Sequence, residues 1–320
     1  MNYDFNKIDE YVKKKYNQDF FDNLQSKTND DFLFIIKTKY LNEILKYDID
    51  VDILLNINTQ ELVTAYVERV SYKKYKIYLN KKLMTILVYF ADELSNNESF
   101  FEKIDRKKEN DTILERLSQT ILQIWINFII CHETAHIIRG HIDNDKMYYF
   151  EHEINKKDYN ENLFYEVDAD NSAIKIFIQI LSDQLSLICK LTKLKDITVI
   201  EYILTYLVKL FEIFFKINNK DKEKIYYDHI IRIAVSLISI CEVQNESNCL
   251  PIKLKELEKM TKNIFDDFLD ENKYMLSNFE FQTKSKYIIE NYKPFLCKIN
   301  ISEKQLIDRK KIKFYEEKIK

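Results

Sequence analysis

Glycine occurs once in this chain of 320 residues, at position 140, and proline only twice, where an average protein uses glycine at about 7% of positions. A chain so short of both residues carries no low-complexity linker, and it shows no internal repeat. An excess of basic charge is also missing. Forty-nine Lys and Arg stand against 52 Asp and Glu, for a net charge of -3. The 14% of aromatic residues are not interleaved with a basic patch, so they read as helix packing and no nucleic-acid partner is expected. The first twenty residues, MNYDFNKIDEYVKKKYNQDF, lack the apolar core and small-residue cleavage site of a secretory signal, and the expected location is cytoplasmic. The longest apolar runs, 121–138 and 203–217, are interrupted by Gln123, Asn127, Glu133, Lys209 and Glu212. Neither offers about twenty lipid-compatible residues, so no membrane span is expected. The five cysteines are odd in number, scattered and without a C-x-x-C pair, as fits buried, reduced thiols.

What the chain does have is apolar residues at 46%, enough for a large core in one elaborated domain or two. After a polar opening expected to pack loosely, Phe32, Ile35, Ile36, Tyr40 and Ile44 recur at near-helical intervals. Residues 61–79, ELVTAYVERVSYKKYKIYL, turn β-branched and aromatic with partial alternation, and the polar break at 71–74 predicts a small β-hairpin. Leu83, Ile86, Leu87, Phe90 and Leu94 then mark an amphipathic helix, ended by SNNES. Further helices are predicted at 200–217 and 225–241, with NNKDKEK as a solvated loop between them. Pro251 is expected to open another helix, where its missing N–H does no harm, and the charge-alternating tail 304–320 reads as a solvated helix. The expected fold class is mainly α (α+β), with a helical core and a small β-hairpin before a metal-binding helix. Its expected parts are an N-terminal helical segment 1–60, a core 61–245 and a C-terminal helical extension 246–320.

The chemistry is carried by 111–141, DTILERLSQTILQIWINFIICHETAHIIRGH. Thr112 and Glu115 have the spacing of a capping box, and Leu114, Leu117, Ile121, Trp125, Phe128, His132 and Ala135 follow a helical stripe. His132-Glu133-Thr134-Ala135-His136 is the H-E-x-x-H pattern. Two histidines four apart on a helix project from one face about a turn apart, which is the spacing a single zinc ion needs. With five histidines in the chain, the pattern would arise by chance on the order of once in a hundred such sequences. Gly140 stands just past the last apolar turn, where a left-handed cap would turn the chain away from the metal.

A catalytic zinc takes three protein ligands and keeps a fourth position for water. His141, Glu166 and Asp170 compete for the third place. The metzincin pattern H-E-x-x-H-x-x-G-x-x-H puts its glycine and last histidine at other offsets, which disfavours His141. Glu166 and Asp170 lie in a second predicted helix, ENLFYEVDADNSAIKIFIQIL, on a shared face. One carboxylate can therefore reach the metal while the other orients a ligand histidine, and Glu166 is the better candidate. The alternating Glu151-His152-Glu153 cluster reads as a solvated loop.

At these residues the chain resembles the glutamate-type zincins, in the group that pairs H-E-x-x-H with a downstream E-x-x-A-D, as in HtpX-like and CAAX-prenyl-protease-like metallopeptidases. The resemblance covers His132 to His141 and Glu166 to Asp170. It implies a zincin-like core with zinc held by His132, His136 and Glu166, and with Asp170 behind them. Among such proteins, the soluble Lit phage-exclusion peptidases are similar in lacking membrane spans. Where the membrane group has a His-Pro stretch before an arginine, this chain has Asp228-His229-Ile230-Ile231-Arg232.

The expected activity is zinc-dependent hydrolysis of peptide bonds in a protein or peptide substrate. Glu133 is the expected general base toward a zinc-bound water, and later the proton donor to the leaving amine. Tyr226, Tyr227 and His229 are candidates to stabilise the oxyanion. The alternative is a catalytically silent zincin-fold module that binds or regulates.

Overall fold

A computed structural model describes residues 4–36, 52–58, 64–71, 74–96, 111–139, 141–142, 159–192, 194–217 and 222–272. The protein is mainly helical with one small sheet. It divides into two compact units, one of Met1–Glu133 with Met147–His152, the other of Thr134–Lys146 with Glu153–Lys320. The division falls between Glu133 and Thr134, within the last two turns of the helix Asp111–Arg139.

The first unit begins with α1 (Phe5–Lys15) and α2 (Gln18–Lys27). Each starts on a side chain that satisfies an orphan backbone donor: Asp4 accepts the Asn6 N–H at 3.2 Å, and Asn17 accepts the Phe20 N–H at 3.1 Å. A π-helical turn, Thr28–Leu33, continues α2 and buries Phe32 and Leu33. The rest of the helical run expected from Asp31 onward, from 37, lies outside the described residues.

The expected hairpin is present as β2 (Ala65–Ser71) and β3 (Lys74–Asn80), antiparallel with Val67 opposite Ile77. A further strand, β1 (Asp52–Asn58), pairs with β3 in parallel, so the sheet order is β1-β3-β2. Sequence reading passed over β1 because DILLNIN is a short apolar run, which periodicity alone does not separate from helix. After the sheet comes α3 (Lys81–Ser95), with Leu83, Ile86, Leu87 and Ala91 buried.

The polar N-terminus does not pack loosely. Asp92 of α3 is 1% exposed and accepts hydrogen bonds from Tyr11 Oη at 3.0 Å, Lys15 Nζ at 2.9 Å, Tyr16 Oη at 3.1 Å and Ser118 Oγ. A buried carboxylate demands such partners, and three of the four lie on or beside α1. One lysine and two tyrosines of the polar opening are what pin it.

The long helix α4 (Asp111–Arg139) is buried on all sides from Ile121 to Cys131 except at Gln123 and Asn127, which marks a core helix rather than an amphipathic surface one. The side chains of Thr112 and Glu115, the expected capping box, lie outside the described residues.

The second unit holds α5 (Tyr159–Thr192), α6 (Asp196–Ile217), α7 (Lys222–Ser247) and α8 (Leu254–Asn272). Helix α5 packs on α6 and α7, and α8 covers α6 and α7. Ile200, Ile203, Leu204, Leu207, Leu210 and Phe211 of α6 are all buried, each worth about 1.5–3 kcal/mol relative to exposure.

Pro251 does not open a helix: α8 begins at Leu254. The residues before it form a clasped turn around the buried side chain of Gln244. The Gln244 amide donates to the carbonyls of Leu250 and Ile252 at 3.0 and 2.7 Å, and its oxygen accepts the Leu250 N–H at 2.8 Å. Asn248 takes the left-handed backbone conformation, φ 46°, that reverses the chain there; asparagine tolerates it better than other non-glycine residues.

By length and composition, Leu117–Arg139 and Glu166–Lys190 could each cross a membrane, with 78% and 44% of the apolar window buried inside the protein. The tail 304–320 and the Glu151-His152-Glu153 cluster lie outside the described residues. Cys131, Cys189, Cys241 and Cys249 are unpaired thiols, and burial pushes the Cys131 thiol far up, which keeps it protonated.

Candidate metal centre

His132 and His136 sit one turn apart on α4, 6% and 3% exposed, with Glu133 between them at 7%. The helix places them: side chains four residues apart share a face. Glu166 comes from α5. One ligand atom from each of His132, His136 and Glu166 lies within 4.8 Å of the others, and all three residues are buried. His136 Nε2 stands 3.5 Å from Glu166 Oε1. Tetrahedral zinc with bonds of about 2.0–2.1 Å separates neighbouring donor atoms by about 3.4 Å, so this pair already has the spacing the ion imposes.

The charges fit a cation as well. Among the described residues, Glu166, Asp168 and Asp170 are buried carboxylates paired with the guanidiniums of Arg139 and Arg232, and Glu133 is a further buried carboxylate on α4. A divalent ion would add positive charge to this acidic set, and burying anions without such balance is expensive.

Asp170 was expected to orient a ligand histidine. Its carboxylate takes a bidentate guanidinium, from Arg232 Nε at 2.6 Å and Nη2 at 3.1 Å. Arg232, on α7, also reaches Glu166 Oε2 at 3.4 Å and lies over the Phe211 ring at 5.5 Å. Glu166 thus stands between His136, 3.5 Å from one oxygen, and Arg232, 3.4 Å from the other.

Asp168 reaches toward His136, a candidate ligand, through His141. Asp168 Oδ2 stands 3.0 Å from His141 Nε2, and His141 Nδ1 stands 2.9 Å from His136 Nδ1. Asp168 also accepts from Arg139 Nε at 2.8 Å and Nη2 at 3.0 Å. Two residues from Glu166, it projects from roughly the opposite side of α5, so this helix uses one face for the ligand carboxylate and the other for the end of α4. Burial alone would raise the Asp168 carboxyl, but the hydrogen bonds from His141 and Arg139 and the charge of Arg139 hold it below its ordinary value. His141, 1% exposed, is held below the usual imidazole value by burial, in spite of Asp168.

The helix terminus explains how His141 arrives there. Its backbone N–H donates to the His136 carbonyl at 3.0 Å, a six-to-one bond of the kind that closes a helix in the Schellman motif. That bond folds the chain back, so the centres of the His136 and His141 rings lie 5.0 Å apart. Gly140 itself lies outside the described residues, as do the side chains of Tyr226, Tyr227 and His229.

Sequence reasoning missed the roles of Arg139 and Arg232. Arg139 carried one signal, a basic residue in the last turn of the helix that bears His132 and His136, and Arg232 carried another, as the arginine that ends Asp228-His229-Ile230-Ile231-Arg232. Compared with protein families, with curated proteins and with solved structures, the chain matches none.

Proposed function

We propose that this protein is a zinc-dependent metallopeptidase acting on a protein or peptide substrate in the cytoplasm. The observation that carries the proposal is the convergence of His132, His136 and Glu166 ligand atoms within 4.8 Å, with an intact Glu133 between the two histidines. Three nitrogen and oxygen donors leave a fourth position open, as in hydrolytic zinc sites and unlike the closed four-ligand sites that only stabilise a fold. The apolar stretches of α4 and α5 are, in this proposal, walls that keep the centre dry rather than lipid-facing spans.

A bound zinc would lower the pKa of its water toward neutrality and polarise the scissile carbonyl. The remaining work falls to side chains of this chain. His132, His136 and Glu166 hold the ion. Glu133, almost fully buried, takes the proton from the attacking water and returns it to the leaving amine. Arg232, 3.4 Å from the second oxygen of Glu166, pairs its charge with the carboxylate.

Metal analysis of protein purified without added zinc, with cleavage products compared between cells expressing wild type and Glu133→Gln, tests the proposal. One zinc per chain is expected, lost in His132→Ala and His136→Ala. Glu133→Gln should keep the metal and lose the cleavages, because the amide cannot accept the proton. Zinc bound equally in all variants would remove the ligand assignment. Identical cleavage products from wild type and Glu133→Gln would favour a metal-stabilised binding module.

A further inference from the structure

Asp168, His141 and His136 form one line of hydrogen-bonding groups, and the line ends at a proposed ligand. Its first member has a fixed role. Asp168 receives both Nε and Nη2 of Arg139, the bidentate arrangement of an ionised carboxylate, which only accepts hydrogen bonds. Facing it at 3.0 Å, His141 Nε2 must therefore carry the proton. A neutral imidazole protonated at Nε2 has a bare Nδ1, and that atom lies 2.9 Å from His136 Nδ1. One proton belongs between the two ring nitrogens, and it sits on His136. This leaves the lone pair of His136 Nε2 pointing where Glu166 Oε1 waits at 3.5 Å.

We propose that His141 is a positioning residue of the metal centre: with Asp168 behind it, it fixes His136 in the Nδ1–H tautomer and orients its Nε2 toward the ion. This inference rests on the metal reading above. Ligand histidines commonly give their second N–H to a carboxylate, a carbonyl or water; here the acceptor is another imidazole, itself held by a carboxylate. The arrangement is economical in sequence. The backbone bond that ends α4, His141 N–H to His136 C=O at 3.0 Å, delivers the acceptor ring to the ligand ring five residues earlier. No helical face pairs positions five apart, so only the turn at the helix end brings the two rings together.

The network has a cost if broken. His141 is 1% exposed, and without it His136 Nδ1–H would face an apolar replacement while Asp168 kept only Arg139. An amide of similar reach could serve in its place, its oxygen accepting from His136 and its nitrogen donating to Asp168.

Zinc affinity measured by chelator competition on wild type, His141→Phe and His141→Gln, with circular dichroism on each, tests the proposal. Nitrogen-15 shifts of the histidine rings in the zinc-loaded wild type provide an independent readout. His141→Phe should bind zinc about 10–100-fold more weakly, and His141→Gln should recover most of that loss. The spectra should show His136 metallated at Nε2 with a proton on Nδ1, and His141 protonated at Nε2. Folded His141→Phe with wild-type affinity, or His136 metallated at Nδ1, would overturn the proposal while leaving the metal centre standing. Wild type that binds no zinc would overturn the centre and this inference with it.

Discussion

Replacing Asp168 of α5, which pairs with Arg139 at the end of α4, with Asn should destabilise the protein strongly. Asp168 is 1% exposed and Arg139 6%, so solvent screens their pair little. The carboxylate takes two bonds from the guanidinium, at 2.8 and 3.0 Å, and faces His141 at 3.0 Å. An asparagine keeps one acceptor and turns an N–H₂ toward donors, which leaves the buried guanidinium without its countercharge. Breaking a buried ion pair from one side costs about 3–5 kcal/mol, a large part of the roughly 5–15 kcal/mol that holds a typical domain together. Urea denaturation followed by the fluorescence of Trp125, the chain's one tryptophan and fully buried on α4, would measure it. Chelator-treated protein is the right sample, because bound zinc adds its own stabilisation by mass action. Arg139→Met alone strands the carboxylate in the same way. The double variant Arg139→Met with Asp168→Asn should then be less destabilised than the sum of the singles by about 1–3 kcal/mol. A loss below about 1 kcal/mol for Asp168→Asn, or full additivity in the double variant, would refute a coupled buried pair.

Two further outcomes are expected. Glu166→Ala should weaken zinc binding by more than the roughly 10–100-fold expected for Asp170→Ala, because the first removes a ligand atom while the second frees Arg232 to settle on Glu166 and compete with the ion for it; chelator competition on folded variants measures both, and the reverse order would reassign the third ligand. Alkaline pH should detach α1. Burial lowers the Lys15 pKa, but the hydrogen bond and charge of Asp92 outweigh it and raise the value above the ordinary 10.5. Burial and Asp92 together push Tyr16 up to about 12. The stability Lys15 contributes is present below its ordinary value and is lost as pH rises through the raised one. Tyr16 keeps in the fold a proton that the unfolded chain releases from about pH 10, so its contribution also falls between there and about 12. Denaturation midpoints measured across that range should drop for wild type and change less for Asp92→Asn; a flat wild-type profile would contradict the linkage.

The sequence by itself determined the parts whose physics is local. Two histidines four apart in an apolar helical run must share a face, whatever surrounds them, and the same period puts Glu166 and Asp170 on one side of α5. The β2–β3 hairpin and α3 were legible for the same reason: alternation and the helical stripe are properties of a few consecutive residues. The tertiary structure decided which acidic residue meets which base. Asp168 and Asp170 differ by two positions in one motif, yet Asp170 takes Arg232 from 62 residues away and Asp168 takes Arg139 from 29 residues away. Such pairings depend on the depth and rotation at which one helix lies against another, and no single helix's period contains those quantities. The same holds for β1, whose partner β3 begins beyond β2 in the chain and pairs in parallel. It holds too for the polar N-terminus, expected to pack loosely, where Tyr11, Lys15 and Tyr16 meet the buried carboxylate of Asp92. A polar residue's sequence states what it can donate or accept, and only the packed chain states who is within 3 Å to receive it.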